Sequence, residues 1–396
     1  MLSEKSAELV RATLPAVGGA IGEITSLFYD KLFQAHPELE RDLFNRGNQA
    51  TGSQQQALAG AVAAFAVMLV EHPDRRPDAM LSRIAHKHAS LGIVPEQYPI
   101  VHQHLFAAIA EVLGEAVTPE VAAAWDEVYW LLANALIAIE ARLHQEAGAT
   151  PGEVFAPYEV IGRRAETAEV ATFLVRPVDG RPLPAGRPGQ YVSVQVAMAD
   201  GARQIRQYSL SGNPGNALQF SVKRVTGDPA GEVSGHLHDH TAVGDILQVS
   251  HPFGDVTLDG GDSPVLLASA GIGCTPMIGM LSHLAETGSG RRVITVHADR
   301  SEADHAFRAE LEQLTAKLAD AEAHIWYERP EGEWPAERTG LADLSRIAIP
   351  EGTVAYLCGP LPFLRAARTQ LLAAGVAPAD VHYEVFGPDL WLGSDS

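Results

Sequence analysis

His88 sits where a histidine has to be accounted for. The segment Asp78 to Ser90 reads as a helix, with Leu81, Ile84, Ala85 and His88 at spacings of three, four and seven on one apolar face. Two readings fit: a core histidine satisfied by a backbone carbonyl, or an axial ligand that gives one ring nitrogen to a haem iron. Glu140 bears on the choice. It interrupts the apolar stripe Trp125, Tyr129, Leu132, Leu136 and Leu143 of a second helix, Val121 to His144, where an unpaired carboxylate is costly to bury. The second ring N–H of a ligating imidazole is a suitable donor, and a carboxylate accepting it fixes the tautomer and raises the ring's basicity. Tyr98, ten residues past His88, offers a hydroxyl as another donor, or is an ordinary aromatic at a helix start.

A second group faces the first across the same apolar region. Tyr29 follows Phe28 on an apolar helix, Gln54, Leu58 and Phe65 share a face at spacings of four and seven, and Phe44 lies between those two helices in sequence. An apolar cavity with two polar groups suits a polarisable diatomic ligand. A core tyrosine and a surface glutamine would show the same periodicity.

Farther along, Arg206-Gln207-Tyr208-Ser209-Leu210 gathers a cation, an aromatic ring and a hydroxyl at the end of a strand. The guanidinium suits a pyrophosphate, the ring can stack on an isoalloxazine, and the hydroxyl can bond a ring nitrogen. Read by itself, such a strand is also an amphipathic sheet edge. Gly231-Glu232-Val233-Ser234 opens a helix whose first N–H groups could hold phosphate. The run Val265 to Met277 goes from a buried strand through Gly271-Ile272-Gly273 to Cys274-Thr275-Pro276. That order brings backbone close to a pyrophosphate, although it is not the GxGxxG fingerprint and a plain strand-to-helix turn would look alike. Asp299 and Arg300 follow the next strand; the first favours a free ribose hydroxyl and the second a 2′-phosphate, and the balance leans to NADH with NADPH tolerated. His236, His238 and His240 alternate, but on a helix alternate residues diverge, so a metal site is not expected there.

The elements needed to position these groups come in three blocks. Helical periodicity runs to about residue 147 and ends at Ala147-Gly148-Ala149-Thr150-Pro151-Gly152. Short strands separated by Gly and Pro turns then suggest a small antiparallel barrel to about residue 260, and alternating strands and helices suggest a parallel doubly wound sheet to the end. The expected division is 1–147, 153–260 and 261–396.

Of the 396 residues 46% are hydrophobic and 20% charged, which is packed globular chemistry rather than disorder. A net charge of −20 excludes nucleic acid or an anionic membrane as the main partner. Two cysteines, Cys274 and Cys358, make no disulfide framework, the N-terminus lacks a signal-peptide pattern, and no stretch is expected to reach bilayer-spanning apolar length. A cytoplasmic protein without obligate membrane association, working as a monomer, is the expectation.

Phe28-Tyr29-Asp30, His36-Pro37-Glu38-Leu39, Phe44-Asn45, Asn48-Gln49, Gln54 and Lys87-His88 resemble, in order and spacing, the globin domain of flavohaemoglobins. Gly189-Gln190-Tyr191, Arg206 to Ser209 and Gly231 to Ser234 resemble the ferredoxin-reductase-like flavin domain. Gly271 to Met277, Cys358-Gly359-Pro360 and Tyr383-Glu384-Val385-Phe386-Gly387-Pro388 resemble its nicotinamide domain.

The resemblance implies that His88 is the proximal ligand of haem b, supported by Tyr98 and Glu140, with Tyr29, Gln54 and Leu58 lining the distal pocket and Lys87 facing the reductase side or tuning the potential. It implies that Tyr191, Arg206, Gln207, Tyr208 and Ser209 hold FAD. The Cys-Gly-Pro turn would lie by the nicotinamide, Glu384 would affect the potentials, and Phe386 would cover the flavin until NADH or NADPH displaces it. The implied activity is a nitric oxide dioxygenase that turns NO and O2 into nitrate. A general NAD(P)H–flavin–haem reductase is the enzymatic alternative, and a haem gas sensor is a more distant one because no residues are left for an output module.

Overall fold

The computed structural model describes residues 2–387, which form two compact units: 2–155 with 195–206 and Gly387, and 156–194 with 207–386. The expected positions Pro388 and Asp389 to Ser396 lie outside the described residues.

The first unit is built on seven helices: α1 (Glu4–Ala35), α2 (Pro37–Asp42), α3 (Arg46–Ala50), α4 (Ser53–Glu71), α5 (Asp78–Leu91), α6 (Gln97–Leu113) and α7 (Pro119–Ala147). Local chemistry sets their ends. Ser3 caps α1 by accepting from Ser6 N, Asn45 caps α3 through Asn48 N, and Thr118 caps α7 through Val121 N with Pro119 at the first helical position. Helix α7 stops at Gly148, whose φ of 66° only glycine adopts freely, so the small-residue stretch ends the helix as its composition indicates. Helix α1 packs against α4, α6 and α7, and α5 packs against α7, which brings the His88 and Glu140 helices together.

One expectation fails here. Helices α4 and α7 do reach spanning length and apolarity, with mean hydropathies of 1.3 and 1.2. A helix whose apolar face is packed against neighbours passes the same test by composition, and both of these lie in the helical packing just described.

Strands β1 (Phe155–Ala165), β2 (Val170–Pro177), β3 (Tyr191–Ala197), β4 (Arg203–Gly212), β5 (Leu218–Lys223) and β6 (Ile246–Ser250) close into a barrel of order β1-β2-β5-β4-β3-β6. Helix α8 (Glu232–His240) follows β5. Phe173 and Phe220 fill the barrel interior from paired positions on β2 and β5, their rings stacked at 5.7 Å.

Strands β7 (Val265–Ala270), β8 (Val293–Asp299), β9 (Ala321–Tyr327), β10 (Val354–Cys358) and β11 (Val381–Glu384) make a sheet of order β11-β10-β7-β8-β9. All its pairings are parallel. Helices α9 (Cys274–Glu286), α10 (Arg308–Lys317) and α11 (Leu361–Ala373) complete this doubly wound layer. The chain moves from β7 outward to β8 and β9, then returns to place β10 on the other side of β7. The direction of winding therefore reverses between β7 and β10, and ligands of such sheets bind outside the carboxyl ends of the strands at that point.

Candidate functional site

In the helical unit, α5, α6 and α7 bring His88, Tyr98 and Glu140 into mutual contact. His88 Nδ1 lies 2.8 Å from Glu140 Oε1 and 3.0 Å from Tyr98 Oη, and the Tyr98 hydroxyl donates to the same Glu140 oxygen at 2.6 Å. Glu140 is 3% exposed and Tyr98 7%. Burial, then the adjoining Glu140, push the Tyr98 hydroxyl far above its ordinary pKa, so it remains a donor. Tyr129, on α7, donates to the Tyr98 carbonyl at 2.7 Å and pins the start of α6.

These bonds fix the tautomer. A carboxylate can only accept, so the ring proton sits on Nδ1 and the lone pair is on Nε2, which makes no hydrogen bond among the described residues. A half-buried imidazole held through Nδ1 by a carboxylate is the donor set of a proximal haem ligand, and the residues fit that group. Replacing Glu140 with glutamine is expected to lower haem affinity by about 10–100-fold, the range for outer-sphere partners of metal-ligating histidines. Haem transfer to an apo-globin acceptor measures it.

Across the unit, Tyr29 is 4% exposed and its ring meets Phe44 edge-on at 5.7 Å. Burial raises its hydroxyl well above the ordinary range, opposed by a hydrogen bond with Gln54, so the two polar groups picked out from the sequence meet. Leu58 lies one turn beyond Gln54 on α4, and Lys87 precedes His88 on α5, half-buried. Sequence reasoning missed three residues here. Phe33 packs on both Tyr29 (5.5 Å) and Phe44 (5.3 Å), and its spacing of four from Tyr29 on α1 could have revealed it. His144, four after Glu140 and 2% exposed, reaches the Ala89 carbonyl at 3.3 Å. Tyr129, read as core stripe, also acts on the site.

On the barrel, Tyr191 opens β3 and exchanges backbone bonds with Phe253, at 2.8 and 2.9 Å. Gln207 Nε2 donates to Ser193 Oγ at 3.0 Å, and the Tyr208 ring stacks on Phe220 at 5.5 Å. Ser209 is buried, and the Arg206 guanidinium reaches the Ile205 carbonyl at 2.8 Å. Helix α8 starts at Gly231 with no side-chain cap, a helix start of the kind that suits an anion. Val233 is buried and Ser234 instead accepts from Val225 N at 3.1 Å. This chemistry fits a flavin dinucleotide. The three histidines of α8 are used locally: His238 Nε2 meets the Val222 carbonyl at 2.9 Å and the His236 ring lies 5.4 Å from that of His240.

At the switch point, Gly271-Ile272-Gly273 forms a short 3-10 turn before α9, which begins at Cys274-Thr275-Pro276 without a side-chain cap. Thr275 Oγ1 donates back to Ile272 O at 3.1 Å. Cys358 pairs with Ser269 on one side and Glu384 on the other, so the Cys358-Gly359-Pro360 turn emerges beside the glycine turn. A Cβ at Gly273 would collide with the Cys358 carbonyl, so glycine is required by proximity rather than by its φ of −61°. Both cysteines are buried, and burial raises both thiols above their usual pKa, so neither is poised as a nucleophile. Phe386 is 47% exposed, and Val385 and Gly387 flank it after β11. Two parallel strand ends, closely apposed turns and an uncapped helix start fit a dinucleotide.

A globin-type helical unit followed by a six-stranded barrel and a five-stranded dinucleotide sheet defines a haem protein fused to a flavin reductase. The Globin family matches residues 26–136 and the Oxidoreductase NAD-binding domain family residues 267–369. A Flavohemoprotein of Chromobacterium violaceum is 44% identical over 402 residues, spanning 98% of each chain. A flavohemoglobin from Malassezia yamatoensis, with bound FAD and heme, superposes with a TM-score of 0.90 at 37% identity over 98% of this chain and 100% of its own. The FAD/NAD-binding domain of a nitric oxide dioxygenase from Vibrio cholerae gives 0.55 at 37% identity, over 60% of this chain and all of its own. The chain belongs to the flavohaemoprotein family.

Proposed function

We propose that this chain is a nitric oxide dioxygenase that uses electrons from NAD(P)H, passed through FAD, at a His88-ligated haem. The observation that carries the reading is the Glu140–His88–Tyr98 cluster, in one chain with a flavin barrel and a dinucleotide sheet. When bound, FAD supplies the exchange between hydride and single-electron chemistry, and haem supplies the centre where O2 and NO meet.

The chain's own residues do the rest. Nε2 of His88 would hold the iron, with Glu140 accepting at Nδ1 and so keeping the imidazole oriented and electron-rich. Tyr29, kept protonated by burial and oriented by Gln54, presents a donor on the distal side, with Phe44 and Leu58 excluding water around it. With FAD bound, Arg206 and the start of α8 would neutralise phosphate, Tyr208 and Ser209 would orient the isoalloxazine, and Tyr191 would line the same site. Gly271 to Pro276 and Cys358 to Pro360 hold the nicotinamide coenzyme, with Glu384, Val385 and Phe386 at the adjoining strand end. The domain division 1–147, 153–260 and 261–396 assigns one cofactor to each part. The acidic surface and two buried thiols suit a monomer in the cytoplasm.

Under air, NADH-driven consumption of NO with nitrate as product is expected. NADH oxidation that does not rise when NO is added would instead point to a general reductase. Tyr29→Phe is expected to lower dioxygen affinity about tenfold or more, because a hydrogen bond to a charged acceptor contributes on the order of 1.5–3 kcal/mol. Oxygen dissociation by flash photolysis reads that change.

A further inference from the structure

Resting on the dinucleotide reading above, the adenosine ribose belongs beside the carboxyl end of β8, the strand after the glycine turn. The sequence sets two opposed groups there, Asp299 for a free 2′-hydroxyl and Arg300 for a 2′-phosphate. The structure takes both out of those simple roles.

The Asp299 side chain is 5% exposed, with Oδ1 accepting from Arg300 N at 2.8 Å and Oδ2 lying 3.3 Å from His297 Nε2. His297 is itself anchored at 2.9 Å between Nδ1 and Ser269 Oγ. Asp299 is thus turned inward, and its job is to brace the end of β8. Arg300 remains 42% exposed but is clamped: Nη2 contacts Glu169 Oε2 at 2.9 Å and Asp304 Oδ1 at 2.5 Å. Ser301 Oγ donates to the other Asp304 oxygen at 2.9 Å and lies 3.4 Å from Glu331. Lys223 Nζ is 3.7 Å from Glu169. Two cations, Arg300 and Lys223, therefore meet three carboxylates, Glu169, Asp304 and Glu331, where a phosphate dianion would have to settle, and the one guanidinium suited to it is already shared by two of those acids.

We infer that coenzyme choice is set by this clamp: Glu169 and Asp304 occupy Arg300 and so exclude the 2′-phosphate of NADPH, making NADH the working reductant. Asp299, the residue that the strand's position nominates, does not set it directly. Glu169 comes from the turn before β2 in the barrel, 131 residues from Arg300 in sequence, so half of the specificity device lies outside the dinucleotide sheet. The arrangement rejects by occupying a competent cation, a form of specificity by repulsion rather than by added attraction.

The test is anaerobic stopped-flow reduction of the flavin in the full-length, haem- and FAD-loaded protein, with NADH and with NADPH. This readout needs neither NO nor turnover at the haem. The double variant Glu169→Gln/Asp304→Asn is expected to raise the NADPH-to-NADH efficiency ratio about tenfold or more, since it frees a charged donor. Adding Arg300→Ala to it should cancel that gain. Arg300→Ala alone, which covers the case of a double variant that does not fold, should move the ratio by less than about threefold. A ratio that stays put in the double variant, a gain that survives loss of Arg300, or a tenfold fall with Arg300→Ala alone overturns the inference. Flavin that neither coenzyme reduces in the unmodified protein overturns the dinucleotide reading, and the inference with it.

Discussion

Replacing His88 with alanine is expected to remove the Soret band while FAD content and NADH-driven flavin reduction remain. The second nitrogen of the imidazole is held by the buried Glu140 and Tyr98, whereas His102 and His36 pair with the exposed Asp126 and Glu38 away from this cluster. Glu140 and Tyr98 are locked to each other at 2.6 Å, and His144 is committed to a backbone carbonyl. The change also strips the buried Glu140 carboxylate of its imidazole donor, a loss on the order of 1.5–3 kcal/mol for a bond to a charged group. A lower unfolding temperature of the helical unit should accompany the spectral change. Absorption spectroscopy with a haem extraction assay and thermal unfolding followed by circular dichroism check the two parts separately. Iron porphyrin retained at wild-type stoichiometry would contradict the assignment of Nε2.

Gly273→Val is expected to cripple the opposite end of the electron path. The side chain would be driven into the Cys358 carbonyl, and the two turns at the switch point would have to separate. Overpacking of this kind costs typically about 1–3 kcal/mol, and here the displaced atoms are the ones that would hold the coenzyme. Flavin reduction by NADH should fall by about 10–100-fold, while chemical reduction by dithionite still converts both cofactors. Rapid-mixing kinetics against a dithionite control separates a coenzyme defect from general damage. An unchanged NADH rate would mean that the coenzyme does not use this turn.

What the sequence could tell follows from how local each signal is. His88 on an apolar face, Glu140 inside an apolar stripe and the Cys358-Gly359-Pro360 turn are each short-range anomalies, visible because a polar group stands where the period demands an apolar one or a glycine where a strand ends. Of the three rings in contact with Tyr29, Phe28 and Phe44 are named by the sequence and Phe33 is missed, although it lies only one helical turn away. Strand order was beyond reach. The alternating runs identify strands, but nothing in their period says that β5 lies between β2 and β4, since that depends on pairing across many residues. The apolar length of α4 and α7, by contrast, is a property of composition and was legible, but the interleaving of Ala, Leu and Val with Gln, Glu and Asp along α7 reads as amphipathic rather than as spanning. Asp299 shows the same limit as strand order, at one residue. Its position nominates it for the ribose, whereas its orientation is decided by His297 two residues earlier and by the turn's own backbone.

The most direct measurement is the absorption spectrum of the intact protein as NADH is added without oxygen under carbon monoxide. The flavin bands are expected to bleach and the Soret band then to shift to its ferrous carbonmonoxy form, and in Gly273→Val both changes should come about 10–100-fold more slowly with NADH but in full with dithionite. Flavin that bleaches while the Soret band stays in its ferric position would show that electrons entering at the dinucleotide sheet do not reach the His88 iron.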